Sequence, residues 1–303
     1  RERACVTRAM PSPAEAAAQA VASRALRVAV LGLGGWAAWY MLVLKRVMKS
    51  TKPWGPRWLA VALSGALYRF GSWWLKYSDN CEESLKSGIW GPGKQYIFVW
   101  HPHGNFTISA LYFVSHWWAK NYPGGVRGDR YVCVAPLLLR IPFLAELLML
   151  CHARSQDRQT FDALLATGAT VAVQPGGLAE QVSTDETTER IFFPGNLGFI
   201  RLALKHGVPL LPCYAFGENQ LYHTPNWIRK LNGWLYRTLK CGSLVVQGQG
   251  GIPTSPLLPN PLMLPIFRSG MHIRIGEPVH LGPTEENPSE ERVQQAFKLY
   301  LDE

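Results

Sequence analysis

Hydrophobic and polar positions divide the chain into three stretches. Residues 1–24 are polar and alanine-rich and predict a mobile N-terminal tail. Val28 to Leu44 follows, 17 residues without a charge that include Trp36, Trp39 and Tyr40. As a helix rising 1.5 Å per residue it spans about 26 Å, just enough for a membrane core. Its aromatic residues suit the interfacial belt better than they suit a signal peptide, and no small-residue cleavage site is evident. A buried core helix is the other reading. Trp58 to Leu75 is a second apolar stretch, interrupted by Arg69. It predicts either the return arm of a hairpin or a helix lying in the membrane plane. Residues 25–80 are therefore expected to anchor the chain to a membrane through one helix or a hairpin.

From Gln95 onward short apolar runs alternate with helical periodicity. Tyr96–Trp100, Arg130–Ala135, Ala169–Val173 and Pro209–Phe216 read as buried strands, and His272–Ile275 and Val279–Leu281 as late ones. Helical patterns cover about residues 106–119, 137–150, 156–167 and 197–206. This alternation predicts an α/β fold whose mostly parallel central sheet is flanked by helices. A last helix is expected to start with Asn287 as N-cap, Pro288 in the first turn and Glu290 three residues after the cap. Its apolar face is Val293, Ala296, Phe297, Tyr300 and Leu301. No internal repeat or long linker appears, so residues 81–303 are read as one catalytic domain.

Composition sharpens this. Charged residues make up 17% of the chain, below the usual quarter or so, and there are 12 tryptophans. Both point to contact with lipid. Residues 1–57 hold ten Lys or Arg against Glu2 and Glu15, which is +8 of the net +10. A nucleic-acid binder spreads its basic residues over a folded face, whereas these flank an apolar segment in the manner of a membrane-surface sequence. No nucleic-acid partner is expected. Lys45, Arg46, Lys49, Lys52 and Arg57 place the linker after the first apolar segment in the cytosol, leaving the number of crossings open. The six cysteines are dispersed without a C-x-x-C, which argues against a disulfide framework or a structural zinc site. A start at Arg1 and an end inside a helical pattern read as a fragment of a longer chain.

Three blocks carry chemistry. His101-Pro102-His103-Gly104 directly follows the first strand, where open α/β sheets bind ligands. Pro102 fixes the backbone between the imidazoles, Gly104 permits a tight turn, and Asn105 is placed to cap the next helix. That leaves backbone N–H groups free beside an imidazole base, a layout for acyl transfer. Two turn histidines satisfied by backbone form the bland alternative. A zinc pair is another, though no third ligand stands at familiar spacing, so no metal is expected. Gln174-Pro175-Gly176-Gly177-Leu178-Ala179-Glu180 ends another strand; its glycines allow close backbone approach, and Glu180 can orient a histidine or contact the acceptor. The third block runs from Phe193 to Pro212 and on to Phe216-Gly217-Glu218-Asn219. Within it Arg201 and Lys205 share one helical face, either to meet phosphates or simply to be solvated. Absence of G-x-S-x-G, of G-x-x-x-x-G-K-[ST] and of G-x-G-x-x-G leaves hydrolase-elbow, nucleotide-hydrolysis and dinucleotide chemistry unsupported.

In their order these blocks resemble the type-2 diacylglycerol acyltransferase family, which includes monoacylglycerol and wax-ester acyltransferases. The matching residues are His101 to Gly104, Gly176 to Glu180, Gly198-Phe199 through Gly207, and Phe216 to Asn219, within about residues 95–302. The resemblance implies a glycerolipid-acyltransferase-like α/β fold. It also implies transfer of a fatty acyl group from acyl-CoA to diacylglycerol or a related lipid alcohol. The setting it implies is the endoplasmic reticulum membrane and lipid droplets, with the catalytic domain facing the cytosol. Acyl-CoA is a co-substrate, and no further cofactor is expected. Two departures stand out: Asn196 occupies a position that is usually basic, and no Tyr-Phe-Pro motif is recognisable. In the expected mechanism His103 is the base, His101 or Glu180 orients it, and Gly104, Asn105, Gly176 and Gly177 shape the oxyanion turn. Phe199, Arg201, Lys205, Glu218 and Asn219 are the expected substrate contacts. Monoacylglycerol or a fatty alcohol is the alternative acceptor. A histidine-ligated metal-dependent lipid hydrolase and a non-catalytic lipid-binding protein are the rival classes.

Overall fold

A computed structural model describes residues 13–88, 94–113, 130–255, 264–266 and 270–302. The chain divides into two units, residues 1–46 and 47–303. In the first, helix α1 (Pro13–Trp39) continues through a π-helical turn at Tyr40–Leu44. It begins inside the stretch expected to be a mobile tail, because an alanine-rich run favours helix over coil. Gln19–Val47 is long and apolar enough to cross a membrane, the sole such helix among the described residues.

The second unit is organised around strands β2 (Ile97–His101), β4 (Ala153–Ser155) and β5 (Thr170–Val173), whose side chains are buried on both faces. Its helices are α2 (Arg57–Leu75), α3 (Cys81–Lys86), α4 (Ala110–Phe113), α5 (Leu144–Leu150), α6 (Arg158–Ala166), α7 (Gly177–Ser183), α8 (Gly198–His206), α9 (Asn226–Leu239) and α10 (Glu290–Leu301). Its strands are β1 (Ser78–Asp79), β2 (Ile97–His101), β3 (Arg130–Val134), β4 (Ala153–Ser155), β5 (Thr170–Val173), β6 (Leu210–Phe216), β7 (Val246–Gln247), β8 (Pro253–Thr254) and β9 (His272–Ile275). Seven strands form one sheet in the order β1-β9-β6-β2-β5-β3-β4, while β7 and β8 form a small antiparallel pair. The strands β6, β2, β5, β3 and β4 run parallel, and β9 joins β6 antiparallel. This is the mostly parallel α/β sheet that the alternation predicts.

Side-chain alternation along β2 builds the core on both sides. Phe98 and Trp100 face one cluster with Tyr112, Phe113 and the inner face of α2 (Leu63, Leu67, Tyr68, Trp74). Ile97 and Val99 face the other, with Phe161 and Leu164 of α6, Ile200 and Ala203 of α8, and Val293 and Ala296 of α10. The second apolar stretch of the sequence is therefore a helix packed on the sheet domain along one face, with Trp58 and Trp73 exposed away from it.

Several boundaries differ from the sequence pattern. Of the helix expected at 106–119, Ala110–Phe113 is helical and residues 114–119 lie outside the described ones. The helix expected at 137–150 is broken: Leu138–Arg140 is a 3₁₀ turn, and Phe143, after Pro142, adopts a φ of 64° before α5 begins. Residues 279–281 supply a single bridge, Leu210 with Val279, rather than a strand. The cap of α10 is Ser289, not Asn287; its side chain accepts from the N–H of Arg292. Placing the cap one residue after Pro288, with the helix starting at Glu290, puts a hydroxyl where the orphan N–H groups need it.

Candidate active site

Because β6, β2 and β5 are neighbours and parallel, the three sequence blocks converge at one edge of the sheet. His101 ends β2, the glycine block follows β5, and Phe216 ends β6 with Gly217-Glu218-Asn219 following it. Strand order thus assembles residues that lie more than 70 positions apart in the chain.

Glu180 sits at the centre of this edge and is 2% exposed. Its Oε1 accepts the backbone N–H of His103 at 3.0 Å, while Oε2 lies 3.8 Å from Nδ1 of the buried His101 ring. Gly176 makes room for it: a Cβ there would stand 1.6 Å from Glu180 Oε2. Gly104 is required for a different reason. It has a φ of 62°, and a Cβ would meet Glu218 Cγ at 2.7 Å.

The His103 ring is held by groups that sequence reasoning did not single out for it. Its Nδ1 lies 3.3 Å from the Gly104 carbonyl and 3.2 Å from Thr107 Oγ1, which is also 3.4 Å from Nε2. Thr107 Oγ1 in turn donates to Gln174 Oε1 at 2.9 Å, and Gln174 Nε2 donates to the Pro102 carbonyl at 2.8 Å. These bonds fix the proton positions in sequence. The Pro102 carbonyl can only accept, so the Gln174 amide must present its oxygen to Thr107. The Thr107 proton is thereby committed, and its oxygen can only accept from the ring. Thr107 Oγ1 lies within reach of both ring nitrogens, and the Gly104 carbonyl at Nδ1 favours the tautomer with hydrogen on Nδ1 and the lone pair on Nε2. Burial lowers the His103 pKa below its usual value, against the opposing effect of the Glu180 charge. Burial thus favours the neutral imidazole at this position.

Glu218 has a different task from the expected substrate contact. It is 1% exposed, and its two oxygens accept the N–H groups of Ile108 and Ser109, each at 2.8 Å. Burial pushes its carboxyl up to about 8, while the two N–H groups favour the anion. It pins the turn that carries Thr107. The helix after the histidine motif starts only at Ala110, so Asn105 does not cap it. Asn105 is instead buried, with its carbonyl accepting from Gln181 Nε2. Among the described residues, the backbone N–H groups of Gly104 and Asn105 have no acceptor.

The other expected contacts lie to one side. Asn219 is buried and donates to Glu189, which also accepts from Tyr214 Oη at 2.7 Å. Phe199 stacks on Phe193, whose ring meets His101 edge-on at 5.1 Å, so Phe199 supports the site from the core. Arg201 is paired with Glu290, and Lys205 with Asp162 at 2.9 Å and Glu286 at 3.2 Å. The structure therefore does not bring these two cations to the histidines. Arg154 is fully buried and donates to the carbonyls of Ser50, Lys52, Met149 and Ala153. Among the described residues no group of three His, Cys, Asp or Glu could hold a metal ion.

Comparison with known proteins agrees with this arrangement of motifs. A family model described as diacylglycerol acyltransferase matches residues 86–303. The chain is 34% identical over 241 residues to human acyl-CoA wax alcohol acyltransferase 2, covering 76% of this chain and 69% of that protein. It is 27% identical over 225 residues to human diacylglycerol O-acyltransferase 2, covering 69% and 54%. Identity to mouse 2-acylglycerol O-acyltransferase 1 is 26% over 223 residues, covering 70% and 64%. No solved structure matches. With the histidine, glycine-glutamate and Phe-Gly-Glu-Asn blocks gathered at one sheet edge and most of the chain matched, the protein belongs to the diacylglycerol acyltransferase family.

Proposed function

We propose that this chain transfers a fatty acyl group from acyl-CoA to the free hydroxyl of diacylglycerol, giving triacylglycerol, at the endoplasmic reticulum membrane or a lipid-droplet surface with the sheet domain in the cytosol. The observation that carries the reading is the His103 ring, whose Nδ1 lies 3.3 Å from the Gly104 carbonyl, on a loop whose backbone N–H is held by the buried Glu180. Nε2 takes the hydroxyl proton as the oxygen attacks the thioester carbonyl. The N–H groups of Gly104 and Asn105 are the donors for the oxyanion that develops. When the tetrahedral intermediate collapses, the C–S bond breaks and the histidinium proton passes to the departing CoA sulfur. CoA thiolate is a good leaving group, so no covalent acyl-enzyme is needed, and acyl-CoA is the only co-substrate.

Glu180 positions the loop and keeps a negative charge near the imidazolium that forms. His101 Nδ1 approaches the other oxygen of that carboxylate at 3.8 Å, while the His103 ring is held by Gly104 and Thr107. A fatty alcohol is the second acceptor reading, favoured by the 34% identity to a wax alcohol acyltransferase. The test offers diacylglycerol, monoacylglycerol and a long-chain alcohol together with labelled acyl-CoA to membranes carrying the protein, and separates the products by thin-layer chromatography. Labelled triacylglycerol as the main product is expected. Wax ester in its place reassigns the acceptor, and the absence of any labelled ester refutes acyl transfer.

A further inference from the structure

Helix α9 has an outer face that the reaction does not use. Trp227, Lys230, Trp234 and Arg237 recur at i, i+3, i+7 and i+10, which places them within about 80° of the helix circumference. Trp227 is 51% and Trp234 53% exposed, large apolar surfaces to leave in water. Between Asn226 and Leu239 there is no Asp or Glu. Arg229 is neutralised by Asp185, whereas Lys230, Arg237 and the C-capping Lys240 stand on the exposed side. The opposite face is locked. Ile228 and Asn232 are buried, and Asn232 Oδ1 accepts the N–H groups of Leu244 and Val245 at 3.0 Å each. The stripe therefore cannot turn inward.

We propose that this stripe docks α9 flat on an anionic lipid surface. Tryptophan is the side chain best suited to the headgroup level, and each cation gains from an anionic leaflet. A second copy of the chain is disfavoured as occupant, since a two-fold contact would set Lys230 and Arg237 against their own counterparts. The position of the helix gives the docking a use. It packs against α7, which carries Glu180. The segment that follows it places Ser243 Oγ 3.4 Å from Asn105 Oδ1 and 3.3 Å from the Gln181 carbonyl. Docking holds at the lipid surface a helix that adjoins both α7 and, through Ser243, the loop that follows His103.

The full chain, reconstituted in phosphatidylcholine vesicles with or without about one-fifth phosphatidylserine, tests this without any turnover, so it stands or falls apart from the assigned chemistry. An environment-sensitive fluorescent amino acid replaces Trp234, and in a control it replaces the exposed Gln295 of α10. Expected at position 234 are a blue shift and quenching by brominated lipids, both increased by phosphatidylserine. The control at 295 stays accessible to aqueous iodide. Lys230→Glu with Arg237→Glu removes the phosphatidylserine-dependent part of the quenching at 234. Iodide access at 234 in both vesicle types overturns the proposal. So does quenching indifferent to phosphatidylserine and to charge reversal, or a blue shift in lipid-free detergent that grows with protein concentration, the mark of self-association.

Discussion

Gly176→Ala isolates the contact on which the site rests. Gly176 has a φ of −67° and a ψ of −28°, ordinary right-handed geometry, so alanine brings no backbone strain. Its Cβ would instead stand 1.6 Å from Oε2 and 2.7 Å from Cδ of Glu180. Glu180 has almost no solvent to turn into, so its carboxylate must leave the position from which Oε1 accepts the His103 N–H at 3.0 Å. Losing one buried hydrogen bond to a charged group costs about 1.5–3 kcal/mol, before any penalty for re-burying the charge. Expressed in the transition state, that is roughly a ten- to hundred-fold loss in kcat/KM. The control is Glu180→Ala, which removes the obstacle: in that background Gly176→Ala is expected to cost less than about 0.5 kcal/mol. Thermal unfolding and kcat/KM of the four proteins give the coupling. Additive effects in both measurements refute the claim that Gly176 serves to seat Glu180.

Glu180→Gln is expected to move the acidic limb of kcat/KM to lower pH while reducing the plateau. Burial already lowers the His103 pKa, and the Glu180 charge is the largest opposing effect, so its removal lowers the pKa further. A pH–rate profile with the limb shifted upward contradicts this. Thr107→Val and Gln174→Leu each free the His103 ring from its favoured tautomer. Nitrogen-15 shifts of labelled histidine are expected to show Nε2 gaining hydrogen in both variants, with kcat falling more than KM changes. Arg154→Met leaves four backbone carbonyls without their donor and is expected to lower stability by about 3 kcal/mol or more, read as a drop in Tm. Arg201→Gln breaks a surface pair with Glu290, worth about 0–1 kcal/mol, and a hydrogen bond to the Asn196 carbonyl, and the KM for acyl-CoA is expected to change less than about two-fold.

The sequence made the scaffold legible where a single local signal decides it. The buried strand before His101 and the glycines after Val173 follow from runs of apolar residues ended by turn formers. What it left hidden depends on strand order. Thr107 meets Gln174, and Glu218 meets Ile108 and Ser109, only because β2 lies between β5 and β6. Strand β4 escaped notice because Arg154 interrupts it; a buried guanidinium is tolerated there by four carbonyl acceptors. Helix α9 was hidden because Trp227 and Trp234 sit on its exposed face and blur the apolar period. Arg201 and Lys205 share a helical face as their spacing implies, but acids from α6, α10 and the segment preceding α10 meet them there, which spacing on one helix does not show.

Turnover of labelled acyl-CoA and diacylglycerol by His103→Ala tests the base most directly, provided its thermal unfolding and acyl-CoA binding match the wild type. The account predicts a loss of at least about a hundred-fold in kcat, the usual worth of a positioned general base. Triacylglycerol formation at the wild-type rate contradicts it.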